Sequence, residues 1–335
     1  MGTIQKWRDE LTVLSAFLAV AEDRNGDEAP SRDRRAHGDQ RIRCAEVSAM
    51  KLCRFAVATS PDIRIGLITS AQTVLDLTDA GVHRMKSLIE RADLADELMR
   101  LGQAGLPDHP LDSVRLLTPV ESQEVWAAGV TYLRSKQARM EESEFSASAY
   151  DRVYDAARPE IFFKSLPEKV VSPGDAVGIR RDARWNVPEP ELALVMNSSG
   201  TIVGFTIGND MSSRDIEGEN LLYLPQAKIY TASCAVGPWI VVGHTEEDAR
   251  RWSIQLEIRR GTETVFAGET RAGQIKRPFR ELVDFLFRSQ KFPNGAVLLT
   301  GAGLVPPDSF TLEAHDSVRI TISGVGTLEN PVAVV

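Results

Sequence analysis

Glu189 and Glu191 lie two residues apart in VPEPELALVM, an apolar run that reads as a β-strand. Successive side chains of a strand point to opposite faces, so both carboxylates share one face. Asn197-Ser198-Ser199-Gly200 has the composition of a turn, and TIVGFTIGND returns as a second strand. Pairing residue 196 with 201 sets 191 opposite 206, 189 opposite 208 and Asp210 opposite 187. Asp210 then joins the carboxylate face one diagonal step from Glu189, about 7–8 Å between backbones. In this register Leu192, Leu194, Met196, Val203, Phe205 and Ile207 form a core face, and Ala193, Gly204, Thr206 and Gly208 leave room beside the acids. Unpaired carboxylates this close repel one another, and a divalent cation removes that repulsion. An all-oxygen donor set selects Mg2+, Mn2+ or Ca2+ over zinc. No histidine falls between His109 and His244 to supply a nitrogen ligand. A solvated strand face carries the same pattern, because acidic residues are mostly exposed; residue types alone leave both readings open.

Other residues could take part in such chemistry. Lys228, in LPQAKIYTASC, is a cation that can orient a substrate or exchange protons beside a metal, and equally a surface lysine. Glu160 precedes the apolar strand IFF, where apolar surroundings raise a carboxyl pKa and suit it to act as a base; it also reads as a strand-end charge. Arg214 and Asp215 read as an ion pair bracing the loop after Asp210. Cys234 has no histidine near it and reads as a small buried hydrophobe rather than a nucleophile. The glycine pairs at 301–303 and 324–326 lack the strand–GxGxxG–helix setting of a dinucleotide site.

The elements that must position these groups are mostly strands. Residues 50–77 read as short strands rich in Val, Ile and Leu. A helix is expected over 82–101, where Val82, Met85, Leu88, Ile89 and Ala92 keep helical spacing and Gly102 supplies a stop. EVWAAGVTY (124–132) is expected as a strand, the charged stretch 133–157 as helical, and IFF (161–163) as a strand. Pro173-Gly174 marks a turn. The remainder alternates strands and turns, with one helix near 280–289.

A chain of 335 residues corresponds to about two domains at roughly 150 residues each. The formal net charge of −8 excludes nucleic acid as the main partner, since that needs a basic face. No apolar run approaches the ~18 residues of a membrane helix. LTVLSAFLAVA (11–21) has the length of a signal h-region, but Asp9 and Glu10 precede it where positive charge is required. Cys44, Cys53 and Cys234 are too few and scattered for a disulfide framework or zinc cluster, which points to a reducing, cytoplasmic setting. Residues 22–46 hold little to bury and read as disordered. The apolar pattern starts at Met50, so residues 1–49 are expected to be a disordered or non-native extension. A small N-terminal domain is expected over 50–118 and a catalytic domain over 119–335.

From about Met50 onward the chain resembles the fumarylacetoacetate hydrolase family. The motifs, in order, are Gly129-Val130-Thr131-Tyr132, Phe163-Lys164, Glu189-x-Glu191, GNDMSSRD (208–215), QAKIYTASCAVGPWI (226–240), LLTG (298–301) and SGVGTLENP (323–331). The resemblance implies an α+β, mostly β fold: a mixed β-roll catalytic domain with a small N-terminal α/β domain. It implies Mg2+, or Mn2+, held by Glu189, Glu191 and Asp210, a small 2-oxo acid substrate that chelates the metal, and a homodimer or homotetramer. Tyr132, Arg134, Ser135, Lys164 and Thr300 are implied as substrate-binding residues, with Thr300 on the substrate carboxylate and 133–157 as a lid that excludes water.

Hydrolytic members of that family carry a His-x-x-Glu pair on the lid, and its histidine activates water for C–C cleavage. Here Ser135 and Ala138 stand at those places, and the lid contains no histidine. RPEIFFK (158–164), EPEL (189–192) and ENLLYLPQAKIY (219–230) resemble the family's sugar-acid branch, which dehydrates 2-keto-3-deoxy-pentonates. The implied reaction is Mg2+-dependent dehydration to 2,5-dioxopentanoate through a metal-stabilised enolate, with Glu160 as base and Lys228 second. Three alternatives stand beside it. One is a metal-dependent C–C hydrolase of acylpyruvates or 2,4-diketo-3-deoxy sugar acids. Another is decarboxylation or isomerisation of a 2-oxo acid, and the third is an inactive binding protein that keeps the fold.

Overall fold

The computed structural model describes residues 50–69, 72–132 and 153–335. Strand formation follows the apolar, β-branched runs in the sequence. The strands are β1 (Met50–Val57), β2 (Ser60–Ile68), β3 (Thr73–Asp76), β4 (Asp108–Pro110), β5 (Val114–Leu117), β6 (Glu124–Gly129), β7 (Glu160–Ser165), β8 (Val177–Ile179) and β9 (Asn186–Val187). They continue with β10 (Pro190–Met196), β11 (Ile202–Asp210), β12 (Ser212–Ser213), β13 (Cys234–Val242), β14 (Ser253–Arg260), β15 (Glu263–Arg271), β16 (Ala296–Leu299), β17 (Ser317–Ile322) and β18 (Gly326–Val334). The main helices are α1 (Met85–Ile89), α2 (Leu94–Gly102), α3 (Arg214–Glu219), α4 (Leu224–Lys228), α5 (Glu246–Arg250) and α6 (Phe279–Phe287).

An 11-stranded sheet runs β4-β3-β2-β1-β13-β11-β10-β16-β6-β7, with β5 also on β1. Its pairs are antiparallel except β16 with β6, so the sheet is mixed. A second sheet has the order β15-β14-β17-β18-β8. Because β1 is hydrogen-bonded to β13, residues 50–118 and 119–335 share one sheet. Between the two sheets lies a core of Leu192, Leu194, Phe205 and Ile207 against Ile254, Leu256, Val318 and Ile320, joined by Phe279 and Leu282 of α6. The other face of the large sheet, with Ala193, Val195, Val236 and Leu299, is covered by α1 and α2 through Met85, Leu88, Leu94, Leu98 and Leu101. Burying each of these leucines contributes about 1.5–3 kcal/mol.

Several expectations need correction. The helix of 82–101 is two helices, and Ala92 is exposed between them. Glu90, the C-cap of the first, accepts from Ser198 N and Oγ at 3.0 and 2.6 Å, which ties the end of α1 to the β10–β11 turn. The turn lets two apolar stripes face the sheet instead of one continuous stripe drifting off it. The β10–β11 register is also shifted by two residues: Glu191 pairs with Gly208, and a bulge separates Val195 from Met196. Val203 consequently packs with Ala193 and Val195 rather than with Leu192 and Leu194. Finally, the small residues of the carboxylate face do not leave open space. A Cβ on Gly208 would lie 2.3 Å from Leu299 Cδ2, and one on Gly204 2.5 Å from Ile240 Cγ2.

The strand expected over 124–132 ends at Gly129, because Val130 takes a left-handed φ of 51°. Short helices α3, α4 and α5 stand where only strands and turns were expected. For α5 the signal was present: Thr245 and Asp248 form a capping box. The expected extension 1–49 lies outside the described residues, as does most of the helical stretch 133–157.

Candidate metal centre

Glu189 sits in the connection between β9 and β10, Glu191 in β10 and Asp210 at the end of β11. The true register brings Asp210 directly opposite Glu189, whose carbonyl accepts from Asp210 N at 3.0 Å. A shift of two residues preserves the face, so the predicted convergence holds and is tighter than one diagonal step. Oxygens of Glu189, Glu191 and Asp210 all lie within 4.8 Å of one another. The three residues are 5%, 1% and 1% exposed, which excludes the reading of a solvated strand face.

Buried carboxylates need counter-charges. Glu189 accepts from Arg214 NH1 at 2.8 Å and from Lys228 Nζ at 2.8 Å. Asp210 is flanked by Lys228 Nζ at 3.1 Å on one oxygen and by Lys164 Nζ on the other. Lys228 Nζ also donates to Ser212 Oγ at 2.6 Å. Glu191 differs: it accepts from the Gly301 backbone N–H and has no ion pair among the described residues. Burial, followed by the charges of Asp210 and Glu189, pushes its pKa well above the ordinary carboxylate value. An all-oxygen cluster with one acid lacking a cation is the donor set of a hard divalent ion. Ala128, Gly129, Val130, Phe162, Ala302 and Val305 complete the walls of the cavity, together with Arg214 and Lys228.

Glu160 is half-exposed on β7 opposite Gly129, a residue of the cavity wall. A Cβ on Gly129 would fall 2.0 Å from Glu160 Oε2, so the absent side chain is what admits this carboxylate. Tyr132 is buried with its ring against Gly303, and its hydroxyl has no hydrogen-bond partner among the described residues. Burial and then the Glu191 charge push that hydroxyl's pKa up. Arg134 and Ser135, with Ala138, lie outside the described residues.

Two expected substrate contacts are elsewhere engaged. Lys164 does not line the cavity; it is buried behind Asp210. Thr300 Oγ1 donates to the Leu192 carbonyl at 2.8 Å inside the sheet. Arg214 corrects the expectation of a loop brace. It pairs with Glu189 and approaches Glu217 at 4.0 Å, while Asp215 accepts from Arg184 N at 2.7 Å. The spacing of Arg214 and Glu217 on one helix face was the available signal. Gly301 was also missed as a donor; its φ of 96°, which favours glycine, turns its N–H toward Glu191. Cys234, opposite Asp210 on β13, is fully buried, and its thiol pKa is pushed up to about 12 by burial, as befits an inert thiol.

The profile described as fumarylacetoacetate (FAA) hydrolase C-terminal matches residues 124–333, the stretch that holds all three acids. The chain belongs to the fumarylacetoacetate hydrolase family. Within this family it is 43% identical over 278 residues to a probable 2-keto-3-deoxyxylonate dehydratase of Haloferax volcanii, covering 83% of this chain and 91% of that protein. It is 40% identical over 233 residues to a 2-dehydro-3-deoxy-D-arabinonate dehydratase of Saccharolobus solfataricus, covering 69% and 78%. Among solved structures, 2-keto-3-deoxy-D-arabinonate dehydratase complexed with magnesium and 2,5-dioxopentanoate matches with a TM-score of 0.71 and 32% identity, over 85% of this chain and 99% of that one. The fumarylacetoacetate hydrolase fold accounts for the mostly β architecture seen here.

Proposed function

We propose that this protein is a hydro-lyase that converts a 2-keto-3-deoxy-pentonate to 2,5-dioxopentanoate at a magnesium centre held by Glu189, Glu191 and Asp210. The observation that carries the reading is the buried carboxylate triad with Glu191 lacking an ion pair among the described residues. The dehydratase names of the relatives and of the magnesium-bound structure supply the substrate class. When bound, Mg2+ would supply positive charge beside the substrate's carboxylate and the C2 oxygen on which enolate charge develops.

The chain's own residues do the rest. Glu160, brought over Gly129 at the edge of the cavity wall, accepts the proton from C3. Lys228 lines the cavity as a cation whose hydrogens point to Glu189, Asp210 and Ser212. An ammonium so engaged has no lone pair, so its part is positive charge and not proton abstraction. The C4 hydroxyl leaves as water, taking up the proton that Glu160 removed from C3, and tautomerisation through C5 yields the aldehyde. Phe162, Val130 and Val305 give the cavity apolar walls that exclude water. We extend the proposal to a cytoplasmic homodimer or homotetramer, with 50–118 as a small α/β unit joined to the catalytic sheet. Light scattering of the full chain tests the assembly.

An end-point assay with Mg2+ tests the reaction, using a 2-keto-3-deoxy-pentonate and an acylpyruvate read by mass spectrometry. Loss of one water from the first, abolished by a chelator, is expected. Pyruvate and a carboxylic acid from the second would instead establish C–C hydrolysis. Glu160→Gln should lose at least a hundredfold in kcat, the low end of general-base catalysis; near-normal turnover would remove Glu160 from the role.

A further inference from the structure

Lys164 is a fully buried cation that the reaction described above does not use. It sits in β7, next to the last residue of that strand. Its ammonium has three hydrogens and meets three oxygens: the Asp210 carboxylate, the Met211 carbonyl at 3.0 Å and the Lys228 carbonyl at 2.5 Å. The side chain is absent from the cavity wall. The oxygens it joins belong to different parts of the centre. Asp210 and Met211 end the ligand strand β11 and begin the turn to β12, and the Lys228 carbonyl is the last of α4. The final carbonyls of a helix have no partner within it, so a donor there settles the helix end.

We propose that Lys164 is a positioning residue: it sets the rotamer of Asp210 for metal binding and fixes the end of α4 that carries Lys228. This assignment rests on the magnesium centre proposed above. Lys164 and Lys228 pair with opposite oxygens of Asp210, so loss of Lys164 leaves one oxygen without its cation and the carboxylate held from one side only. A group behind a ligand in this way tunes the metal without touching it, and its loss typically costs ten- to a hundredfold in affinity.

The test is calorimetric titration of Mg2+ alone into wild type, Lys164→Met and Lys164→Gln, followed by kinetics at varied Mg2+ and varied pentonate. The expected result is a rise of about 10–100-fold in the Mg2+ dissociation constant. The Mg2+ concentration for half-maximal rate should rise with it, while substrate KM at saturating Mg2+ stays unchanged. A merely structural role would lower the active fraction and leave both constants alone. Tighter Mg2+ binding by the variants would make Lys164 a competitor of the metal and overturn the proposal. Raised substrate KM with unchanged Mg2+ affinity would return Lys164 to the substrate and also overturn it. If neither variant folds even in saturating Mg2+, the residue serves the fold rather than the site, and the proposal fails. Absence of Mg2+ binding by the wild type would instead remove the metal reading, and this assignment with it.

Discussion

Glu189 and Glu191 are both proposed ligands, both buried and two residues apart, yet their neutral substitutes should behave differently in the metal-free protein. Glu189 neutralises Arg214 and Lys228. In Glu189→Gln those cations lose a carboxylate inside the protein, and breaking a buried pair from one side costs about 3–5 kcal/mol. At about 2–4 °C per kcal/mol for a domain of this size, the melting temperature in a chelator should fall by about 6–20 °C. Glu191 has no ion pair among the described residues, and Asp210 and Glu189 repel its charge. Glu191→Gln keeps an acceptor for the Gly301 N–H and removes the repulsion, so its melting temperature in a chelator should hold or rise.

The pH dependence follows from the same asymmetry. Burial raises the folded-state pKa of Glu191 above the ordinary 4.5, so the folded metal-free protein holds a proton that the unfolded chain has released. Its stability should therefore fall as pH rises from about 4.5 through the raised value, and Glu191→Gln should lack that slope. Mg2+ binding expels the same proton, so Mg2+ affinity of the wild type should climb with pH across the window. Thermal melts in chelator and in Mg2+, repeated over pH, read all of this. Both variants should lose the stabilisation by Mg2+. Equal melting-temperature losses for the two in chelator would refute the reasoning that Glu189 is neutralised by resident cations and Glu191 is not.

Gly301→Ala places a Cβ at a φ of 96°, 2.1 Å from Thr131 Oγ1 and 3.0 Å from the Ala128 carbonyl. Backbone strain and overpacking of about 1–3 kcal/mol each should lower the melting temperature and weaken Mg2+ binding as the N–H leaves Glu191, both measurable by thermal shift and calorimetry. Thr300→Val removes the hydroxyl donor to Leu192 O, which still accepts from Thr300 N at 3.0 Å. The expected loss in denaturant titration is about 1 kcal/mol with substrate KM unchanged, and a tenfold rise in KM at intact stability would put Thr300 back on the substrate. Tyr132→Phe removes a buried hydroxyl that has no hydrogen-bond partner among the described residues, so the melting temperature should hold. We propose that this hydroxyl meets the substrate, in which case steady-state kinetics should show a raised KM, and an unchanged KM would remove Tyr132 from that role.

Some of this was legible in the residue order. Side-chain alternation is a local property of any strand, so Glu189 and Glu191 were bound to share a face whatever the strand packed against. The turn at 197–200 returned the chain beside itself, and Asp210 was bound to the same face for any even register shift. The family motifs are likewise local strings, and they led to the family that the profile match shows. The mostly β character followed from the density of short apolar, β-branched runs.

Tertiary structure decided the rest, because it depends on partners distant in sequence. The Val195/Met196 bulge moved Val203 to the other side of the sheet, and no local pattern records a bulge. The break after Ile89 coincides with a tie across the fold, from the Glu90 carboxylate to Ser198. Lys164, Arg214 and Lys228 are spread through the chain, and only packing determines which carboxylate each one meets. Spacing alone read Arg214 as a partner of Asp215, whereas burial of Glu189 beside α3 required its charge there instead. The same holds for Gly301, whose left-handed backbone aims its N–H at Glu191 once β16 is docked on β10. The sequence by itself determined which acids converge and the chemistry they suit. The fold alone determined which cations neutralise them and which acid has no ion pair among the described residues, because that depends on long-range pairing and burial.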